Sequence, residues 1–183
     1  QRKIDVLKAV ATNVLSTIDG VNAGLMVYNV DEGGHVRYAI EDVATGRAQL
    51  AESIDKTELA LFTPLSETLY EAYLYLKGGA VEYGNVGPNV SVDASRTAPG
   101  GSTYKYPLVA GCQKNFIVYL SDGLPAQDNG ANDEIGALTG TCDGDSDDDG
   151  YCLDDLAGYM HDYDIDTSVP GKQTATTYTI GFD

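Results

Sequence analysis

An acidic segment in the second half of the chain carries side chains suited to binding a cation. Residues 145–150 read Asp-Ser-Asp-Asp-Asp-Gly, which matches the Asp-x-Asp-x-Asp-Gly start of a calcium loop. In such a loop alternating carboxylates converge on the ion and the glycine makes the turn. An EF-hand would place a bidentate Glu at the twelfth loop position, which is Leu156 here, so Asp154 or Asp155 would substitute. The predicted Ca²⁺ ligands are Asp145, Asp147, Asp149, the carbonyl of Tyr151, Asp154 and Asp155.

The charge around this segment favours an occupied cation site. No Lys or Arg lies between Lys114 and Lys172, whereas that stretch holds 14 of the 28 acidic residues. Carboxylates crowded in this way repel one another unless a positive charge lies among them. The alternative interpretation is an acidic loop that is simply solvated.

Three cysteines bear on the shape of the acidic segment. Cys142 and Cys152 flank it, whereas Cys112 precedes a predicted strand whose length would hold it roughly 15–20 Å away. A disulfide needs Cα atoms within about 7 Å, so the expected pair is Cys142–Cys152, in an oxidising compartment. Cys112 would then be a buried thiol or have a partner outside this sequence. The alternative is that all three cysteines are reduced core residues.

A second candidate site comes from Asp122 and Thr63. The apolar run 116–120 ends in Ser121-Asp122-Gly123, which delivers a carboxylate to the edge of a sheet where α/β proteins bind ligands. Thr63-Pro64 opens a helical pattern, so its hydroxyl would face that carboxylate across a cleft. One hydroxyl and one carboxylate suit a hard cation such as Mg²⁺, Mn²⁺ or Ca²⁺. The structural alternatives are an Asp-Gly turn and a helix-capping threonine.

These residues resemble the von Willebrand factor A domain, whose metal-ion-dependent adhesion site uses a Thr before a helix and an Asp after the following strand. Four segments are similar to the N-terminal domain of the PilY family of type IV pilus tip adhesins, and the resemblance covers nearly the whole chain. They are residues 112–125 (CQKNFIVYLSDGLP), 63–65 (TPL), 152–157 (CLDDLA) and 178–182 (YTIGF).

The resemblance implies a third element that the sequence lacks. The family's adhesion site also takes an Asp-x-Ser-x-Ser loop after the first strand, and no such sequence occurs here. Residues 2–18 already have the pattern of the helix that should follow that loop. We therefore expect Gln1 to be an internal residue of a longer protein and the first strand to precede it. We also expect the chain to be unstable alone and held by a flanking segment or another subunit.

The pattern of elements predicts an α/β fold, a doubly wound and mainly parallel sheet with helices on both faces, in a single domain of residues 1–183. Long insertions are expected at about 78–111 and 124–151. Within the first insertion, Tyr83, Tyr104 and Tyr106 would pack on their own domain or dock a partner. Helices are predicted at 2–18, 49–61, 65–77 and 152–163, and strands at 23–29, 35–43, 116–120 and 175–182, with 36–40 a candidate antiparallel edge.

Composition excludes several function classes. With 28 acidic residues against 11 basic ones, a nucleic-acid partner is not expected, and no run approaches the ~20 apolar residues of a membrane span. The chain has two His and lacks a Gly-x-Ser-x-Gly elbow, a His-Glu-x-x-His helix, a P-loop and a Gly-x-Gly-x-x-Gly turn. An Asp-x-Asp nucleophile is missing at Asp122, and we predict no enzyme activity.

Two functions remain open. The resemblance implies an extracellular adhesion module at a type IV pilus tip, which captures a host or surface ligand through Ca²⁺, Mg²⁺ or Mn²⁺ and contacts pilus subunits or minor pilins. The alternative is a calcium-stabilised structural domain of a pilus-associated protein, in which other domains of the parent protein bind the ligand. Absence of the Asp-x-Ser-x-Ser loop favours the structural alternative for the chain as given.

Overall fold

Helices and strands alternate along the chain in a computed structural model that describes residues 2–85, 97, 101–108, 113–140, 142–143 and 150–181. The elements in chain order are α1 (Lys3–Thr17), β1 (Asn22–Tyr28), β2 (Gly34–Asp42), α2 (Val43–Asp55), α3 (Leu65–Leu76), β3 (Asn115–Ser121), α4 (Asn132–Thr139), α5 (Leu153–Asp162) and β4 (Ala175–Gly181). The predicted mixed α/β class is confirmed.

The strands form two separate pairs within the described residues. β1 and β2 are an antiparallel hairpin, which confirms the expected antiparallel strand, and β3 and β4 are parallel from Asn115 opposite Ala175 to Ser121 opposite Gly181. The β3–β4 connection runs through α4 and α5, as a parallel pair requires. These two pairs do not show one continuous doubly wound sheet among the described residues, so that architecture stays a prediction.

Helix α3 is the centre of the main core. Most of its residues are buried on all sides, because it packs against β1, β2, α4 and α5. Two tyrosines fix it to both sheets: the Tyr119 hydroxyl of β3 donates to the Leu65 carbonyl at 2.7 Å, and the Ile40 amide of β2 donates to the Tyr75 hydroxyl at 2.9 Å. Since each buried large apolar side chain contributes about 1.5–3 kcal/mol, α3 is the element on which the fold depends most.

Helix α2 begins six residues earlier than the sequence pattern predicts. The Asp42 carboxylate at the end of β2 accepts a hydrogen bond from the Ala44 amide at 2.8 Å, which is an N-cap. The helix therefore runs over Val43–Asp55, and the predicted bounds of 49–61 are wrong. Together with α1, α2 forms a smaller apolar cluster that contains Leu15, Val43, Leu50 and Ile54.

The first insertion packs on its own domain, as one of the two interpretations predicts. Tyr83 and Tyr104 are buried in the main core, and Tyr106 lies half-buried against it. The buried Glu71 carboxylate of α3 accepts hydrogen bonds from the amides of Glu82, Tyr83 and Gly84 and from the Tyr104 hydroxyl. The described part of this insertion is therefore bound to α3 through one carboxylate.

The second insertion contains a helix that the sequence analysis does not predict. α4 occupies Asn132–Thr139 and is anchored by Ile135, which is fully buried. Its eight residues carry too few apolar positions to give a helical period. The segment predicted as a long loop is therefore partly regular.

Candidate functional site

Three aspartates converge where the acidic segment meets α5. One carboxylate oxygen from each of Asp143, Asp154 and Asp155 lies within 4.8 Å of the other two. Asp154 and Asp155 are in the first turn of α5, and Asp155 also accepts a hydrogen bond from the Asp143 amide at 3.0 Å. Asp143 and Asp154 are exposed and Asp155 is half-buried, so a hydrated ion can reach them.

The geometry of these three carboxylates fits a hard cation. Ca²⁺ binds oxygen at about 2.3–2.6 Å, so two ligands of the same ion lie up to about 5 Å apart. Positive partial charge at the N-terminus of α5 also favours carboxylates there and partly offsets their repulsion without an ion. In the part of the chain that the structure describes, this is the one group of three or more His, Cys, Asp or Glu residues with ligand atoms this close.

A disulfide fixes the base of this acidic cluster. Cys142 and Cys152 are bonded, with Cα atoms 5.0 Å apart, and this is the pairing expected from the sequence. Cys142 directly precedes Asp143, whereas Cys152 comes two residues before Asp154 and is fully buried. The bond therefore holds the two ends of the acidic segment together next to the three carboxylates.

The predicted calcium ligands are only partly placed. Asp154 and Asp155 belong to the cluster, while Asp145, Asp147, Asp149 and Cys112 lie outside the described residues, so the predicted ligand set stays a prediction. The Tyr151 side chain packs against the main core. Asp143 was not predicted, because it lies outside the Asp-x-Asp-x-Asp-Gly motif of residues 145–150; its position directly after Cys142 is the signal in the sequence that indicates it.

The second predicted site lies at the C-terminal end of β3. Asp122 follows that strand, is exposed, and has its carboxylate 4.0 Å from the Lys3 ammonium at the start of α1. Thr63 forms an isolated antiparallel bridge with Ala126, and its hydroxyl donates to the Leu124 carbonyl. Thr63 and Asp122 are thus on segments that touch each other, and neither belongs to the acidic cluster.

The capping role predicted for Thr63 is wrong. Helix α3 begins at Leu65, Pro64 stands just before it, and neither residue 63 nor residue 64 caps the helix with a side chain. The Asp128 carboxylate does so from the second insertion, because it accepts hydrogen bonds from the Ser66 amide at 2.8 Å and the Glu67 amide at 3.2 Å. Asp128 is fully buried, and sequence spacing could not reveal a cap 62 residues from its helix.

Glu67 joins three segments beneath the same edge. Its buried carboxylate accepts hydrogen bonds from the Gly33 amide at 2.6 Å and the Gly130 amide at 2.8 Å. Burial raises the pKa of Glu67, the two amides oppose that change, and the nearby charge of Asp128 adds to it. The carboxylates of Asp128 and Glu67 are therefore both buried, and their hydrogen bonds hold residues 128–130 against α3 and the β1–β2 turn.

No helix among the described residues has the length and apolar character needed to cross a membrane. No protein-family model, curated protein or solved structure matched the chain.

Proposed function

We propose that this chain is a non-catalytic, calcium-binding module of an extracellular protein. The observation that carries the proposal is the convergence of the Asp143, Asp154 and Asp155 carboxylates beside the Cys142–Cys152 disulfide. Carboxylate oxygens are the ligands that Ca²⁺ prefers, and disulfides persist in oxidising compartments.

The role proposed for the ion is structural. It neutralises part of a chain whose formal charge is −17 and whose residues 115–171 include 14 acidic residues and no Lys or Arg. With the disulfide, it ties Asp143 to the first turn of α5. The resemblance to PilY adhesins makes the tip of a type IV pilus the proposed location, with pilus subunits, minor pilins and other domains of the same protein as the proposed partners.

The test is the stability of the folded chain with and without Ca²⁺. A ligand that binds only the folded state at 100 times its Kd adds about 2.7 kcal/mol to the free energy of unfolding. We expect Ca²⁺ to stabilise the chain against urea and the double variant Asp154→Asn/Asp155→Asn to lose that effect. Asp133→Asn is the matched control, because Asp133 is also an exposed aspartate in the first turn of a helix.

Equal stabilisation of the wild-type chain and the double variant would contradict a structural role for this cluster. An identical urea midpoint of the wild-type chain in Ca²⁺ and in a chelator would contradict that structural role as well.

A second candidate function is cation-dependent adhesion at the end of β3. It is favoured by the contact between Thr63 and residues 124–126, which puts its hydroxyl on the segment that directly follows Asp122. The Thr63 hydroxyl and the Asp122 carboxylate would supply two ligands to Mg²⁺ or Mn²⁺, and an acidic group of a surface ligand would complete the coordination.

Paramagnetic Mn²⁺ tests this second candidate. We expect Mn²⁺ to broaden the NMR signals of Thr63 and Asp122 in the Asp154→Asn/Asp155→Asn variant, where the acidic cluster is removed. If broadening at these two residues is no greater than at Asp133, the adhesion candidate is wrong.

A further inference from the structure

The outer face of β3 and β4 is apolar and exposed to solvent. Their inner face packs on α3, to which the Tyr119 hydroxyl of β3 donates a hydrogen bond. Side chains alternate between the two faces of a strand, so residues 116 and 118 point away from α3, and residues 178 and 180 of β4 do so in register with 118 and 120. Four side chains on this outer face are between 51% and 59% exposed: Phe116, Val118, Tyr178 and Ile180. Because parallel strands are usually covered on both faces, this face is a candidate interface.

Helix α1 lies on the same side of the molecule as this outer face. Leu25 of β1 packs in the cluster of α1 and α2, whereas its neighbour Met26 packs in the main core with α3. Helix α1 therefore covers the face of β1 that points away from α3. β1 lies near β3, because the Tyr28 hydroxyl donates to a carbonyl of β3 at 3.3 Å, and α1 begins near the end of β3, where the Lys3 ammonium is 4.0 Å from Asp122.

One flank of α1 is an exposed valine stripe, formed by Val6, Val10 and Val14. These residues are four positions apart, so they lie along one flank of the helix, and they are between 47% and 57% exposed. The 15 residues of α1 span about 22 Å and the seven of β3 about 23 Å, so the stripe and the outer face have similar lengths. The chain therefore presents an apolar helix surface and an apolar sheet surface on one side, and each is complementary to the other.

Charge is depleted on this side of the molecule. β3 and β4 contain no Asp, Glu, Lys or Arg, although the formal charge of the chain is −17. The acidic cluster lies at the start of α5, which packs in the main core with α3 and thus against the inner face of β3 and β4. Depletion of charge is typical of the centre of a protein interface. Two copies that meet through their outer faces keep their acidic clusters on the outside of the pair.

The exposed area is large enough for a stable dimer. Seven large apolar side chains, each about half exposed, contribute on the order of 600 Å², the upper end of the largest apolar patch on a typical monomer. A standard interface buries about 800 Å² on each partner. The valine stripe and the outer face therefore supply most of one such interface.

We propose that this side of the molecule joins two copies of the chain in a symmetric dimer, in which α1 of each copy covers the outer face of β3 and β4 of the other. In such an isologous contact the valine stripe meets the second copy's sheet twice, so one two-fold axis buries all the exposed apolar surfaces. The like charges of the two copies oppose association, so added salt strengthens the dimer. This inference is independent of the calcium proposal.

Analytical ultracentrifugation of the 183-residue chain tests the inference, in a chelator so that the result does not depend on Ca²⁺. We expect a monomer–dimer equilibrium at micromolar to millimolar concentration. Val10→Asp and Val118→Lys each put a charge at the centre of one surface, and each should raise the dimer Kd at least about tenfold. Tyr163→Lys is the control and should leave the Kd unchanged, because Tyr163 is equally exposed but follows α5 and stacks on Tyr159 of that helix.

An equimolar mixture of Val10→Asp and Val118→Lys tests the reciprocal arrangement. In the mixed dimer the new carboxylate of one copy faces the new ammonium of the other, and the second contact keeps the native residues. We therefore expect the mixture to associate more tightly than either variant alone, which also shows that both variants are folded.

Each other outcome overturns the proposal. A wild-type chain that stays monomeric over the whole concentration range does not use this surface to pair. A dimer that both variants leave intact forms through another surface, and variants that weaken the dimer separately without recovery in the mixture show that α1 does not meet β3 and β4 of the second copy. A dimer that weakens as salt is added is held by charges, which this surface lacks.

Discussion

Removal of the Asp128 carboxylate should destabilise the protein although Asp128 is far from α3 in sequence. Its two oxygens accept the Ser66 and Glu67 amides, which are the second and third N–H groups of the helix. Loss of an N-cap costs about 0.5–2 kcal/mol, and each buried donor left without a partner costs about 1–3 kcal/mol. Because removing a buried negative charge offsets part of that loss, we expect Asp128→Ala to reduce the free energy of unfolding by about 2–4 kcal/mol.

Asp128→Asn removes the negative charge of the cap but keeps the shape of the side chain. An Asn side chain offers one acceptor oxygen, so its NH₂ group would face one of the two backbone donors, and we expect an intermediate loss. Asp31→Ala is the control, because Asp31 is an exposed turn residue and surface changes are usually within about 0.5 kcal/mol.

Urea unfolding at pH 7 measures all three variants, and NMR titration of Glu67 gives a second readout. Because the charge of Asp128 raises the pKa of Glu67, that pKa should fall in both Asp128 variants. A loss for Asp128→Ala no larger than that for Asp31→Ala would refute the capping role.

Three further outcomes follow from the same structure. Cys142→Ser opens a disulfide that joins residues ten positions apart, and should cost about 2.7 kcal/mol in urea unfolding; an unchanged midpoint would mean that the bond does not constrain the unfolded chain. Burial raises the pKa of Glu67 above its ordinary 4.5, so this group stabilises the folded state most below that value and the contribution is lost as the pH rises through the folded-state pKa. The urea midpoint of Glu67→Gln should therefore vary less between about pH 5 and 7 than that of the wild-type chain. Equal variation in the two proteins would contradict a raised pKa of Glu67. Gly33→Ala should cost more than Gly20→Ala in thermal unfolding, because both glycines have positive φ but only at Gly33 would the new Cβ overlap a buried tyrosine, 2.3 Å away; equal losses would show that backbone strain alone matters.

The elements with strong local signals could be predicted from the sequence. α3 has a regular apolar pattern after Pro64, and both β3 and β4 are short apolar or β-branched runs, so their positions agree with the structure within about two residues. The hairpin of β1 and β2 follows from two strand patterns separated by a glycine-containing turn.

The rest depends on contacts between distant residues. Helix α2 begins earlier than its apolar pattern predicts, because Asp42 caps it through the Ala44 amide. The roles of Asp128, Glu67 and Glu71 were not predicted, because each carboxylate binds backbone amides of other segments that no local spacing identifies. For the candidate site, the disulfide and two of the three clustered aspartates were expected, whereas Asp143 was found only from the structure.

A calorimetric Ca²⁺ titration of the 183-residue chain, with Mg²⁺ as competitor, tests the central claim most directly. We predict a site of micromolar to millimolar affinity that is lost in Asp154→Asn/Asp155→Asn and kept in Asp133→Asn. No Ca²⁺ binding by the wild-type chain would leave the acidic cluster a solvated surface and contradict the claim. Binding that the double variant retains unchanged would contradict it as well, because the ion would then lie elsewhere.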